Sequence, residues 1–179
     1  MKIIKKIGRT SYAFLENPKE VDYLEFEGLD FFHKTIGMVA VPISFKGWLS
    51  ESTKPILLIA KIKNRVIGWL FMERWEENNA LDGSPVWVLR AIEVHPDYRG
   101  LNIGRRLVGY ATNTISGYVI TKPITEDSKK FFIKLGFVPP GNNSPINLTG
   151  FTGYLILYPR ERILLIDKIR QIDQNIVEK

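Results

Sequence analysis

The segment Val94-His95-Pro96-Asp97-Tyr98-Arg99-Gly100-Leu101-Asn102-Ile103-Gly104-Arg105-Arg106-Leu107 gathers the residue types that bind an anion. An apolar strand leads through a proline turn into a basic, glycine-containing loop and then into an amphipathic helix. Free N–H groups at a helix N-terminus point into such a loop, the helix dipole favours negative charge there, and glycine lets backbone approach a phosphate closely. Arg99, Arg105 and Arg106 add cationic donors, each charge-assisted hydrogen bond contributing about 1.5–3 kcal/mol. The loop is not a P-loop, because no Gly-Lys-Ser or Gly-Lys-Thr occurs in the chain, and it lacks the second glycine of a dinucleotide fingerprint.

Other chemistries are excluded by composition. The 179 residues include no Cys, which removes a disulfide framework, a thiolate metal site and a cysteine nucleophile together. Only His33 and His95 are present, far apart in sequence, so no metal site is expected. With 45% apolar and 25% charged residues the chain reads as one globular domain over residues 1–179. No apolar run approaches a membrane span, and Met1–Lys6 is too charged for the apolar stretch of a secretory signal, so a cytoplasmic location is the expectation. The net charge of +6 suits an anionic ligand, an acidic partner or nucleic acid, and equally suits plain solubility.

The elements that must hold the loop follow from periodicity. Asn17-Pro18 reads as a helix start, with Val21, Leu24, Phe31 and Phe32 at helical spacing and Gly28 interrupting the face. The stretch Gly37–Ser50 has no clear period. Ile56–Ile62 and Val66–Trp75 are strand-like runs joined by Lys63-Asn64-Arg65, and Val86–Val94 completes an antiparallel meander. Ile103, Leu107, Val108, Ala111 and Ile115 share a helix face ending near Ser116-Gly117. Tyr118–Thr121 is a short strand, and Thr125 caps a helix that carries Glu126 and Asp127 early and Lys134 late. A strand from Phe137, a second strand Gly153–Tyr158, and a tail helix from Glu161 with Leu165, Ile169, Ile172 and Ile176 on one face complete the reading. That tail face is expected to be buried, against the domain or against a second copy in a homodimer. The fold class is α+β.

At this point the chain resembles the GNAT superfamily of acyl-coenzyme A dependent N-acetyltransferases. The family's Val-x-Pro-x-x-Arg-Gly-x-Gly-Ile-Gly is matched by Val94, Pro96, Arg99, Gly100, Ile103 and Gly104, with Asn102 in place of the inner glycine. Asparagine tolerates the left-handed region better than most residues. A second family motif, Ala-x-x-Phe-Tyr-x-x-x-Gly-Phe, is similar to Ser128–Phe137, with Phe132 where the tyrosine stands. The resemblance spans residues 56–158. It implies a GNAT-type fold, a mixed, mostly antiparallel sheet flanked by helices, here with an extra C-terminal helix.

The resemblance further implies acetyl-CoA as co-substrate, with its pyrophosphate on Arg99, Gly100, Leu101, Asn102, Ile103, Gly104 and Arg105. Its pantetheine arm would bond the splayed strand backbone at Ile92 and Val94, and a backbone N–H near Val94 would face the thioester oxygen. The implied reaction is direct attack by a primary amine of a small molecule or peptide. Val88 and Arg90 occupy positions often acidic in relatives, which leaves Glu93 as the strand's carboxylate and the proposed base, with Glu73 behind it. The thiolate's proton would come from Tyr154, Tyr158, Ser128 or solvent, since Phe132 carries none. Trp69 and Trp75 could wall an acceptor pocket with Glu73, or simply pack. Two rivals stand beside this reading: a non-catalytic coenzyme-binding module, and a nucleic-acid binder using the basic loop.

Overall fold

The runs after Pro55 are apolar on both faces and therefore need covering on both sides. They form the centre of a seven-stranded sheet. A computed structural model describes the chain except at residues 52, 54, 76–79, 178 and 179, and except for the side chains of residues 176 and 177. The elements are β1 (Lys2–Ile7), β2 (Thr10–Phe14), α1 (Phe31–Ile36), α2 (Val41–Ser50), β3 (Ile56–Ile62), β4 (Arg65–Arg74), β5 (Val86–Val94), α3 (Ile103–Thr112), β6 (Tyr118–Thr121), α4 (Glu126–Lys134), β7 (Leu155–Leu157) and α5 (Pro159–Val177). The strands lie in sequence order, antiparallel throughout except for the parallel pair β5–β6.

Alternation along the strands feeds two cores. Leu58, Leu70 and Leu89 point to one face, where Leu107 and Val108 of α3, Phe132 of α4 and Ile169 of α5 cover them. Leu57, Ile59, Trp69 and Phe71 point to the other, under Phe32 of α1 and Phe45 of α2. A smaller cluster around Val88, Ile120 and Ile156 closes the far end. Among the described residues no helix is long and apolar enough to cross a membrane.

The meander and the strand–helix–strand–helix segment stand where the periodicity put them, with β5 and β6 at the expected limits. Thr125 caps α4 in a reciprocal pair with Ser128, the hydroxyl of each bonding the other's backbone N–H. Differences concentrate at the N-terminal end. The single helix expected from Asn17 is instead a 3-10 turn, Pro18–Tyr23, capped by the Asn17 side chain at 2.9 Å from the Lys19 N–H. The turn ends at Tyr23, with Leu24 extended after it, and farther on Gly28, at φ +76°, passes His95 so closely that a Cβ there would lie 2.2 Å from Nε2. The unassigned Gly37–Ser50 contains α2, with Pro42 in its first turn, where a missing N–H costs nothing. Strands β1 and β2 have no counterpart in the periodicity reading. The doublets of Lys2–Ile7 do not alternate because the pairing with β2 shifts between Ile3 and Lys5, which lets Ile4 and Ile7 both pack inward. The strand expected from Phe137 is a single bridge, Val138 to Ile156.

The tail face is covered within the chain. Leu165 and Ile169 are buried and Ile172 half-buried; the Ile176 side chain lies outside the described residues. Gly109 of α3 makes room, since a Cβ there would stand 2.6 Å from Ile169 Cγ1. Ile169→Ala is expected to cost about 2–5 kcal/mol by the cavity it leaves, and truncation after Arg160 more. Urea unfolding midpoints read both, and an unchanged midpoint in the truncated chain would mean that the tail is not docked in solution.

Candidate functional site

The basic loop takes the conformation its glycine and asparagine permit. His95 Nδ1 accepts the Asp97 N–H at 3.2 Å and starts a 3-10 turn, Pro96–Tyr98. The chain then needs two left-handed residues, Gly100 at φ +81° and Asn102 at φ +61°. Asn102 therefore keeps the backbone shape that a glycine would give. It makes no side-chain capping bond to α3, and the first helical N–H to bond back is that of Arg106, to the Asn102 carbonyl at 3.0 Å. The N–H groups of Ile103, Gly104 and Arg105 thus open into the loop. Gly104 sits under Phe131 and Val94, where a Cβ would meet the Phe131 ring at 3.3 Å.

Beside this loop the sheet opens. β5 pairs with β6 only as far as Leu89 and Thr121, whose hydroxyl bonds the Leu89 carbonyl at 2.9 Å. Arg90 is then an extra residue on β5, a bulge against β4, and β5 runs on to Val94 after β6 has ended. The His95 N–H bonds the Ile67 carbonyl of β4 at 3.0 Å. By strand alternation the backbone groups of Ile92 and Val94 point the other way, into the opening. Arg99 Nε reaches the Val94 carbonyl at 3.2 Å and ties the loop to that edge. Ile92, Val94 and the run Arg99–Arg105 are brought together as one surface.

Glu93 lies on the opposite face, only 5% exposed. One carboxylate oxygen accepts the Phe31 N–H at the start of α1 at 2.9 Å, and the other accepts the Trp69 indole N–H at 3.2 Å. Burial raises its carboxyl above the ordinary range; the Phe31 and Trp69 bonds oppose the rise, Asp30 adds to it and Arg99 subtracts. Desolvation outweighs the hydrogen bonds, so the fold holds this charge at a cost. On the same side of the sheet, α1, α2, β4 and the bulge border an open hollow of about 280 Å³ lined by Phe32, Met38, Trp48, Phe71, Glu73 and Arg90 among others, which Glu93 itself does not line. Trp48 stacks on Phe71 at 4.0 Å, and Glu73 pairs with Arg90 at 2.6 Å.

Several expected candidates fall elsewhere. Trp69 is fully buried among Phe32, Phe45 and Trp48, while Trp75 packs on Phe151 and Tyr154 in the third cluster, so the two share no pocket. The Ser128 hydroxyl is committed to the α4 cap, and Tyr158 packs edge-on against Tyr118. Tyr154 lines a second cavity, of about 500 Å³, between the β6–α4 connection and Pro139-Pro140. Phe132 is buried against Phe131 and Phe137, and Phe131 is the α4 ring that reaches Gly104. Arg106 does not join the anion loop as a ligand: its side chain is buried and Nε bonds Asp173 of α5 at 2.8 Å. Sequence reading missed Asp173, although a carboxylate four residues after Ile169 on an apolar face is a signal for a buried partner. Among the described residues no group of three metal-binding side chains occurs.

The raised carboxyl of Glu93 gives a signed expectation. The folded state holds the proton to higher pH than the unfolded state, so this group's contribution to stability falls as pH rises from the ordinary carboxyl range through the raised value. Glu93→Gln removes the titration, and the wild-type-minus-variant difference in unfolding free energy should decline across that window. Glu93→Ala strands two buried N–H donors and should cost about 1–3 kcal/mol for each. A difference that grows with pH in the Gln variant would show that the hydrogen bonds outweigh desolvation.

An acetyltransferase (GNAT) domain model matches residues 53–139. Among solved structures the chain is similar to AtaTR bound with acetyl-CoA, at 17% identity over 88% of this chain and 98% of that one, with a TM-score of 0.58. It is similar to the KacTA–DNA complex at 13% identity, 89% and 99% coverage and a TM-score of 0.60. A third is AtaT complexed with acetyl-methionyl-tRNAfMet, at 16% identity, 87% and 98% coverage and a TM-score of 0.54. At such identities the likeness is one of fold. No curated protein matches the chain. The acetyltransferase (GNAT) domain match runs from β3 to α4, so the basic loop and the opened sheet both lie inside it, and the fold is shared with these acetyltransferase structures.

Proposed function

We propose that this chain transfers the acetyl group of acetyl-CoA to a primary amine by direct attack. The observation that carries the reading is the uncapped N-terminus of α3, with Gly100 and Asn102 left-handed before it, set beside the overhang of β5 past β6. The donor set fits a pyrophosphate: three open helix N–H groups and the Arg99 and Arg105 side chains around a loop with no side chain at Gly100 or Gly104. When bound there, acetyl-CoA supplies an activated thioester carbonyl. Ile92 and Val94 offer strand-like backbone bonds to the rest of the ligand, and the Val94 N–H is the donor for the carbonyl oxygen as negative charge builds on it.

Glu93 is the proton acceptor in this reading. A base for an ammonium group works best with its pKa near the operating pH, and burial moves Glu93 in that direction. Two lone pairs on each oxygen leave capacity beside the Phe31 and Trp69 bonds, so the proton arrives directly or through one water. Glu73, held by Arg90 on the wall of the 280 Å³ cavity, gives the acceptor's ammonium a charge to meet. The cavity's apolar walls suit a small amine or the first residue of a peptide rather than a folded surface. With no hydroxyl on Phe131 or Phe132, solvent protonates the departing thiolate.

A second reading puts the amine on a nucleic acid. It rests on the net charge of +6 and on the fold shared with AtaT, whose complex holds acetyl-methionyl-tRNAfMet. A steep negative log–log slope of RNA affinity against salt favours it, because phosphate contacts release counterions. Release of coenzyme A thiol across an amine series separates either enzyme reading from a coenzyme-binding module without turnover.

Two variants test the coenzyme loop. Gly104→Glu places an anion where backbone meets phosphate and should abolish acetyl-CoA binding in calorimetry. Arg99→Ala should weaken it by about 1–3 kcal/mol. Wild-type affinity in both would place the ligand elsewhere. With an acceptor in hand, Glu93→Gln should lower kcat about 10²–10⁴-fold and remove the acidic limb of the pH–rate profile. Full rate with that limb intact would transfer the proton to another group.

A further inference from the structure

We propose that Asp173 of α5 is a positioning residue for the phosphate-facing loop, acting through Arg106, so that the tail helix sets the affinity for acetyl-CoA. The inference rests on the coenzyme reading of that loop. Asp173 and Arg106 are each 4% exposed. Arg106 Nε donates to one Asp173 oxygen at 2.8 Å, and the Tyr110 hydroxyl donates to the other. From the same guanidinium, Nη1 donates to the carbonyl of Leu101 at 3.0 Å. Leu101 stands between Gly100 and Asn102, the two left-handed residues, and is itself 58% exposed, outside the buried core. The bond from Arg106 is what the interior of the protein contributes to fixing that peptide.

The direction of the relay follows from geometry. A guanidinium is planar, so one edge fixed by a carboxylate orients the other. Asp173 fixes the Nε edge from α5, and the Nη1 edge is thereby aimed at Leu101. Asp173 lies outside the residues 53–139 matched by the acetyltransferase domain, so this device belongs to the chain's own tail. A merely structural pair would be replaceable by apolar side chains of similar volume, often without loss of stability.

That difference supplies the test. The double variant Arg106→Met/Asp173→Leu removes both charges and keeps the volume. It is expected to melt at or above the wild-type temperature while its acetyl-CoA dissociation constant in calorimetry rises about tenfold and amide hydrogen exchange quickens at residues 100–105. Asp173→Asn alone should raise KM for acetyl-CoA several-fold with kcat at saturation nearly unchanged. Should the double variant unfold, Asp173→Asn and Tyr110→Phe, which alter one oxygen's partner each, carry the same exchange and affinity measurements. Wild-type affinity and exchange in the folded variants would overturn the relay. If Gly104→Glu also binds normally, the coenzyme reading itself has failed; if Gly104→Glu alone loses binding, only the relay has.

Discussion

The constraint on which the site depends is that backbone N–H and C=O groups must be paired or wetted. β5 is paired on both sides up to Leu89 and on one side from the Arg90 bulge to Val94. A central strand normally gains a full second ladder. Here the parallel neighbour β6 ends at Thr121, and the chain leaves through Pro123, which has no N–H to extend the pairing. The edge so created is in the middle of the sheet, not at its rim, and is flanked by helices on both faces. An extended ligand with amide groups is a natural partner for such an edge, because it completes the backbone ladder that β6 leaves unfinished.

The two faces of that edge divide the chemistry. On one, α3 delivers helix N–H groups, and it lies close because Gly68 of β4 leaves room: a Cβ there would stand 3.1 Å from Ile103 and 3.3 Å from Leu107. On the other, α1 is pinned by a carboxylate from the same strand, Glu93, which accepts the Phe31 and Trp69 N–H groups. Adjacent residues on β5 thus serve opposite faces, as strand alternation requires. The amine and the thioester can then meet across one strand, with the Arg90 bulge turning the backbone between them.

Much of this was legible in the sequence where a local rule decides the structure. The limits of β5 and β6, the cap at Thr125 and the left-handed tolerance of Asn102 each follow from a few neighbouring residues. What was not legible depends on residues distant in sequence. The need for glycine at position 28 is decided by His95, 67 positions later, and the doublet pattern of β1 makes sense only once its bulge against β2 is known. The same reason hid the fate of Arg106. Its neighbours Arg99 and Arg105 suggested a solvent-facing anion ligand, but helix geometry turns position 106 inward, toward Leu107 and the Asp173 carboxylate.

That inward arginine also explains why a charged pair stands where an apolar one would pack. Burying two ions costs desolvation that their attraction offsets only with good geometry, and here Arg106 still has one nitrogen, Nη2, with no hydrogen-bond partner. Stability therefore gives little reason to keep the pair. Direction gives a better one. An apolar contact between α3 and α5 fixes a distance but leaves the Leu101 carbonyl free to turn, whereas a guanidinium clamped by Asp173 offers a donor at one point and one angle. The loop's backbone must present several N–H groups at once to a single ligand, and an error at Leu101 would propagate through both left-handed residues. The buried charge is placed where orientation matters more than packing energy.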